Sequence, residues 1–250
     1  MPMFWIVAFV SPVSISPFSI AGNNIATYGR PEAALFAPQG IGQSMAVEFA
    51  YSNDFNGYIN KYFAGIQYRG WAFGWLSLSV DEFSQHVFAF GKSIKNFGIN
   101  ILITPEEELD DNGQPTLRWY YGIGGGVMKV LSPLWVSASL YYGNGYIGTS
   151  PFGYRLTYDT TFGSISIMYP TKNYTAYLDA FMERGYPLEI RAGFLVKVHD
   201  MVKVFAGYSS GSSAFHAGVV VSRGNIMTGV ALRQYPVLGI GGSGSLLIRR

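Results

Sequence analysis

The chain has 250 residues, a formal net charge of +2 and no cysteine; 16% of its residues are aromatic and only 13% charged. That length allows one large domain or two small ones, and a charged fraction about half the usual ~25% is too low to cover an ordinary soluble domain of this size. The lack of Cys excludes disulfides, thiolate catalysis and zinc–thiolate sites, and a near-balanced charge with no Lys/Arg run gives no nucleic-acid signal.

The first residues, MPMFWIVAFVSPVSISPFSIAGNN, hold an apolar run from Met3 to Val10, then Ser19 and Ala21 at cleavage-site spacing. No Lys or Arg precedes the run. The pattern predicts a signal peptide over residues 1–21, with an apolar arm or strand as the alternative, and the run is too short for a helix of about 20 residues to span a membrane. In the next stretch, residues 22–42, Arg30–Gly40 (RPEAALFAPQG) predicts one short helix, with Pro31 to start it and Pro38 to stop it.

From residue 43 to residue 250 the pattern has a period of two. The hairpin LEIRAGFLVKVHDMVKVFAGYSSG shows it well. Leu188, Ile190, Phe194 and Val196 alternate with Glu189, Arg191, Leu195 and Lys197; His199-Asp200 interrupts, and Val202, Val204 and Tyr208 resume against Lys203 and Gly207. Such alternation means a strand with different surroundings on its two sides, and the break reads as a turn. Similar runs begin near Met45, Tyr58, Ala72, Val87, Phe97, Leu117, Leu134, Tyr154, Ile165, Tyr174, Phe215, Ile226 and Ile240, which gives fifteen candidate strands with the hairpin. Bacterial single-chain membrane barrels have even strand numbers, so one candidate is taken as spurious and the expectation is about fourteen.

Two architectures produce this alternation: a soluble sandwich with apolar residues inside, and a membrane barrel with apolar residues facing lipid. The polar stripe discriminates between them. It carries Glu48, Lys61, Arg69, Arg155, Asp179, Glu189, Arg191, Lys197, Lys203 and Arg233 among Gly, Ser, Thr and bulky aromatics. A soluble outer face would hold more Lys and Glu and less Tyr, Trp and Gly. The reading is an all-β fold: an antiparallel transmembrane β-barrel with those ten residues facing the lumen. Glu189 and Arg191, with Lys197, Lys203 and Arg233, either line a lumen that filters anions or form an ion-pair network that fills a small barrel. Tyr51, Trp71, Trp119, Tyr142 and Tyr208 are candidates for interfacial girdles, with ordinary aromatic core as the alternative.

Other motifs carry less. Glu106–Gly113 (EEELDDNG) places five carboxylates in a predicted loop, which either takes Ca²⁺ or is a solvated acidic loop. His86, His199 and His216 share no metal spacing. GIGGGVMK (Gly122–Lys129) is followed by neither Ser nor Thr, so its glycines mark a bend or close strand contact instead of a phosphate loop. No catalytic constellation, metal site or cofactor site is expected.

The stretch from Tyr186 to Arg250 resembles the carboxyl end of outer-membrane barrels of the PorV/PorQ group of type IX secretion proteins, and more distantly of FadL-like fatty-acid channels. Pro187, Glu189, Arg191 and Gly193, then Ala206, Gly207 and Tyr208, carry the likeness. YGRPEAALFAPQGIGQ is similar to the plug segment of such barrels, with Pro38, Gln39 and Gly40 at the places of its Asn-Pro-Ala-Gly-Leu motif; Ala37 replaces the Asn and Gln39 the Ala. The resemblance implies a short plug (residues 22–42), a barrel (43–250) in the outer membrane of a Gram-negative cell, and no enzymatic activity. Its implied partners are outer-membrane lipid and either a small hydrophobic solute or, for a secretion scaffold, another protein. The solute channel or carrier is the leading expectation, the scaffold barrel the second and a soluble β-protein the third.

Overall fold

The computed structural model describes residues 24–80, 83–109, 115–143, 160–184, 187–211, 213–236 and 239–250. A 3-10 turn (Asn24–Thr27), a one-turn helix α1 (Ala33–Phe36) and a second 3-10 turn (Pro38–Gly40) precede fourteen strands. These are β1 (Ala46–Asp54), β2 (Ile59–Tyr68), β3 (Trp71–Val80), β4 (Phe83–Ile94), β5 (Phe97–Leu109), β6 (Pro115–Leu131) and β7 (Leu134–Gly143). They continue with β8 (Thr160–Pro170), β9 (Tyr174–Glu183), β10 (Glu189–Lys197), β11 (Val202–Ser209), β12 (Ala214–Arg223), β13 (Ile226–Tyr235) and β14 (Gly239–Arg249). Each strand pairs antiparallel with its sequence neighbours, and β1 closes on β14 from Ala46↔Arg249 to Asn53↔Gly242.

The expected fold class is the observed one: an all-β, closed antiparallel barrel of fourteen strands. The alternation sorts inside from outside. On β1, Ala46, Glu48, Ala50, Ser52 and Asp54 are buried, while Phe49 and Tyr51 are 51% and 40% exposed. On β10, Glu189 and Arg191 are buried, and Ile190 and Phe194 face out. The oily stripe is the exposed one, so apolar residues packed between two stacked sheets are excluded. The five aromatics picked out as girdle candidates, Tyr51, Trp71, Trp119, Tyr142 and Tyr208, are all exposed. An outer wall of this composition is stable only against lipid.

The two barrel ends differ. At the end where β1 begins and β14 finishes, the connections are short: Arg69-Gly70, Lys95-Asn96, Ser132-Pro133, Thr171–Asn173, Val198–Met201 and Gly224-Asn225. The β10–β11 turn is the His199-Asp200 break, with Lys197 Nζ 2.7 Å from Asp200 Oδ1. The connections at the other end include residues 144–159. The fifteenth candidate strand, near Tyr154, falls there, outside the described residues, as do the signal-peptide stretch 1–21 and Asp110–Gly113 of the acidic run. Among the described residues no helix is long and apolar enough to cross a membrane.

Replacing Val230, mid-β13 and 62% exposed, by Arg tests the outer face. In lipid vesicles Val230→Arg should cost about 2–4 kcal/mol of folding stability and reduce the heat-modifiable, folded band on gels. An aqueous outer face would leave that band at its wild-type level.

Candidate functional site

The barrel interior is the candidate site. It holds the amino-terminal segment and two charged clusters, one above the other.

Residues Arg30 to Ile41 are buried inside the barrel at the short-turn end. The sequence permits only a brief helix there: Pro31 suits a helix start, and Pro38, which cannot continue one, follows its last turn. The result is the four-residue α1, packed against β3, β4 and β5, then the 3-10 turn at Pro38–Gly40 against β4, β5 and β6. Strand side chains satisfy its backbone. Asn100 Nδ2 donates to the carbonyls of Ala34 (2.7 Å) and Leu35 (3.2 Å), Ser93 Oγ to that of Ile41 (2.7 Å), and Gln67 Nε2 to that of Gly29 (2.9 Å). An apolar cluster of Leu35, Phe36, Phe63, Leu102, Tyr141, Phe162 and Phe181 fills the space around it.

Pro38, Gln39 and Gly40 meet the wall where it carries no side chain. A Cβ on Gly98 would overlap the backbone of Pro38 and Gln39, and one on Gly126 would overlap the Gln39 carboxamide. Gly122 and Gly124 likewise make room for Tyr141 and Asn100. Gly122, Gly124 and Gly126 of GIGGGVMK thus mark close approach of lumen groups to the β6 backbone.

A charged cluster ties this segment to β1. Arg30 NH2 donates to Glu48 Oε1 at 2.5 Å and to Glu32 Oε2 at 2.6 Å, and all three residues are at most 2% exposed. Burial opposes the positive charge on Arg30, but the two carboxylates, Glu48 foremost, outweigh it and hold the guanidinium above its ordinary pKa.

The second cluster lies toward the far end. Asp54 accepts from Arg233 NH1 (3.1 Å) and Tyr235 OH (3.0 Å), with Lys61 Nζ at 3.1 Å; Arg233 NH1 also reaches Ser52 Oγ at 3.0 Å. Nearby, Glu189 accepts from Arg191 Nε (2.9 Å) and Ser209 Oγ (2.5 Å), and Asp179 accepts from Ser166 Oγ (2.6 Å) with Arg191 NH1 at 3.7 Å. Arg191 stacks over the Phe181 ring at 4.3 Å. His216 pairs in register with Arg233 and lies within electrostatic reach of both groups.

Of the ten lumen candidates, Glu48, Lys61, Asp179, Glu189, Arg191 and Arg233 are buried in these clusters. Lys197 and Lys203 face each other in register at the short-turn mouth, half-buried. Arg69 is a correction: it sits in the β2–β3 turn, exposed, at φ 49° and over the Tyr68 ring, because β2 ends at Tyr68 and the inward alternation stops there. Arg155 lies outside the described residues. Sequence reading missed Arg30, Glu32, Asp54 and His216. Asp54 had a visible signal, since it continues the stripe Glu48-Ala50-Ser52; so had Arg30 and Glu32, two charges embedded in an apolar stretch. No group of metal-ligating side chains occurs among the described residues.

The outer wall carries a shallow groove of ≈ 560 Å³ over Gly125, bordered by Ile99, Ile123, Val127, Ala138 and Leu140.

No known family profile and no curated protein matches the chain. Solved structures do. The toluene transporter TodX of Pseudomonas putida superposes with a TM-score of 0.56 at 8% identity, covering 96% of this chain and 97% of that one. A deltaS2 mutant of the TodX monoaromatic hydrocarbon channel gives 0.52 at 9% identity, over 93% and 96%. Omp33, an outer membrane protein of Acinetobacter baumannii, gives 0.51 at 8% identity, over 83% and 98%. At such identities the likeness is one of fold: a barrel of the outer-membrane type.

The absence of native Cys allows a clean probe of the inserted segment. A thiol introduced as Ala37→Cys, at a position 2% exposed, should react slowly with a water-soluble maleimide. Adding Glu48→Ala removes one partner of a buried charge, a change that costs roughly 3–5 kcal/mol, and should speed labelling at least about tenfold. An unchanged rate would mean that Arg30–Glu48 does not hold the segment.

Proposed function

We propose that the protein is an outer-membrane channel or carrier for small hydrophobic solutes, gated by the segment Arg30–Ile41, which acts as a plug. The observation that carries this reading is the seating of that segment. A separate stretch inserted into a barrel and held by apolar packing, side-chain hydrogen bonds and one charged cluster can act as a closure, whereas a purely structural core needs none. The fold it shares with the TodX toluene transporter supports an apolar cargo. The apolar groove over Gly125 adds to that support, since beneath it Gly124 and Gly126 leave the wall without side chains.

A second reading has its own support. The lumen between plug and far end is crowded with paired charges and aromatic rings, which suits a closed barrel serving as a scaffold for a protein partner, as in the PorV/PorQ group. Catalysis has no place in either reading.

Two measurements separate them. In planar bilayers and in toluene uptake by proteoliposomes, a channel should respond to Gly98→Val, which pushes Pro38 and Gln39 from their seat; conductance or uptake should rise by about tenfold or more. A scaffold should stay silent in both forms and co-purify with a partner. Gly125→Leu, whose Cβ would meet only the Gly98 carbonyl, at 3.6 Å, carries its side chain into the outer groove. It should lower uptake several-fold while leaving heat-modifiable mobility unchanged; uptake at the wild-type level would remove the groove from the route.

A further inference from the structure

The sequence contains no basic run, yet the fold assembles a basic ring. Each of the six short turns has a cation in it or within three residues: Arg69, Lys95, Lys129, Lys172, Lys197 and Arg223 in chain order. Arg250 adds one more at the carboxyl end of β14, whereas Arg249 has the inward parity of Leu247 and lies near Gly29. Among the described residues of these turns the single acid is Asp200, which pairs with Lys197. The opposite end has the other sign in its connecting sequences: Asp81-Glu82 follows β3, and Asp110-Asp111 follows β5.

Apart from Lys197, which faces the mouth of the lumen and pairs with Asp200, the cations sit at one level of the wall, directly beside its oily surface. Trp71, Ile94, Phe97, Tyr174, Met201 and Ile226 are exposed next to the same turns. Lys92 shows the geometry: it projects outward from β4 with Nζ 4.5 Å from the centre of the Trp71 ring and donates to the Arg69 carbonyl at 3.0 Å. The Arg69 guanidinium lies 5.0 Å from the Tyr68 ring. Long basic side chains that lie along apolar surface and end in charge are placed for the boundary between acyl chains and headgroups.

We propose that this ring is a collar for anionic phospholipid, binding the phosphate headgroups of the leaflet at the short-turn end and fixing the barrel's depth and direction there. Its distribution decides for lipid against a protein partner. A protein would cover one arc of the rim, and the cations would cluster on that arc. Here five of the six turns around the circumference contribute an exposed cation, at the height where headgroups stand. Each exposed cation near an anionic surface adds attraction, and salt screens it within about 10 Å at 0.1 M. The collar is independent of whether the lumen conducts.

The test uses the folded full-length protein in mixed micelles with equal amounts of dioleoyl phosphatidylglycerol and dioleoyl phosphatidylcholine. Lipid retained after gel filtration is measured by mass spectrometry. The wild type should retain phosphatidylglycerol over phosphatidylcholine by about fivefold or more, and raising salt to about 0.5 M should erase most of that preference. Neutralising the ring (Arg69→Gln, Lys95→Gln, Lys129→Gln, Lys172→Gln and Arg223→Gln together) should bring retention near parity. The charge-keeping pair Arg69→Lys and Arg223→Lys should not, and neither should Arg184→Gln at the far end. Equal retention of both lipids by the wild type overturns the proposal, even where the rim captures an acidic protein. So does a preference that survives ring neutralisation, or, if that variant fails to fold, one that survives high salt.

Discussion

Closure of β1 onto β14 is the constraint on which the rest of the structure depends. A barrel wall surrounded by hydrocarbon has no water to satisfy an open sheet edge, and each unpaired backbone group there costs several kcal/mol. The ladder from Ala46↔Arg249 to Asn53↔Gly242 removes both edges at once. It also fixes what every side chain meets, because a slip of one residue would turn Glu48 into lipid and Phe49 into the lumen. Continuous pairing around fourteen strands is therefore what allows Arg191 and Glu189 to share strand β10 with the exposed Phe194.

Closure creates an interior that must then be filled. Water or solute could occupy it, but in this chain the filling is protein. At the short-turn end the segment Arg30–Ile41 enters with its backbone groups met by Asn100, Ser93 and Gln67. Toward the far end Asp54, Lys61, Arg233, Glu189, Arg191 and Asp179 are arranged so that each buried charge faces an opposite one. Removing a single partner there is costly because the charge left behind has no water to turn to. The two fillings differ in kind: the charged clusters on β1, β2, β9, β10 and β13 belong to the wall, whereas the inserted segment is a separate stretch of chain that meets the wall through apolar packing, side-chain hydrogen bonds and one ion-pair cluster. That difference makes the segment the movable part in the proposed gate.

Much of this was legible in the sequence because period-two alternation is a local signal. The strands from β1 to β14, the turns at His199-Asp200 and Gly224-Asn225, and the inward facing of Glu189 and Arg191 all follow from residue spacing. Pairing across the barrel is a global property. Asp54 meets Arg233 only because β1 closes beside the last strands, and nothing within either strand marks the other as its partner. Arg69 was misplaced for the opposite reason: it continues the alternating pattern, but left-handed backbone at the turn takes it out of the strand. The basic ring escaped for a third reason, since its members are spread from residue 69 to residue 250 and only topology gathers them.

Contact of the oily stripes with acyl chains is what this barrel depends on. The most direct measurement is a nitroxide scan along β13, from Ile226 to Tyr235, in a chain that offers no competing thiol. In lipid vesicles, collision with lipid-soluble oxygen should alternate with period two, high at Thr228, Val230 and Leu232 and low at Gly229, Ala231 and Arg233. A scan with the phase reversed, or with Val230 and Leu232 reached mainly by a water-soluble relaxant, would contradict it.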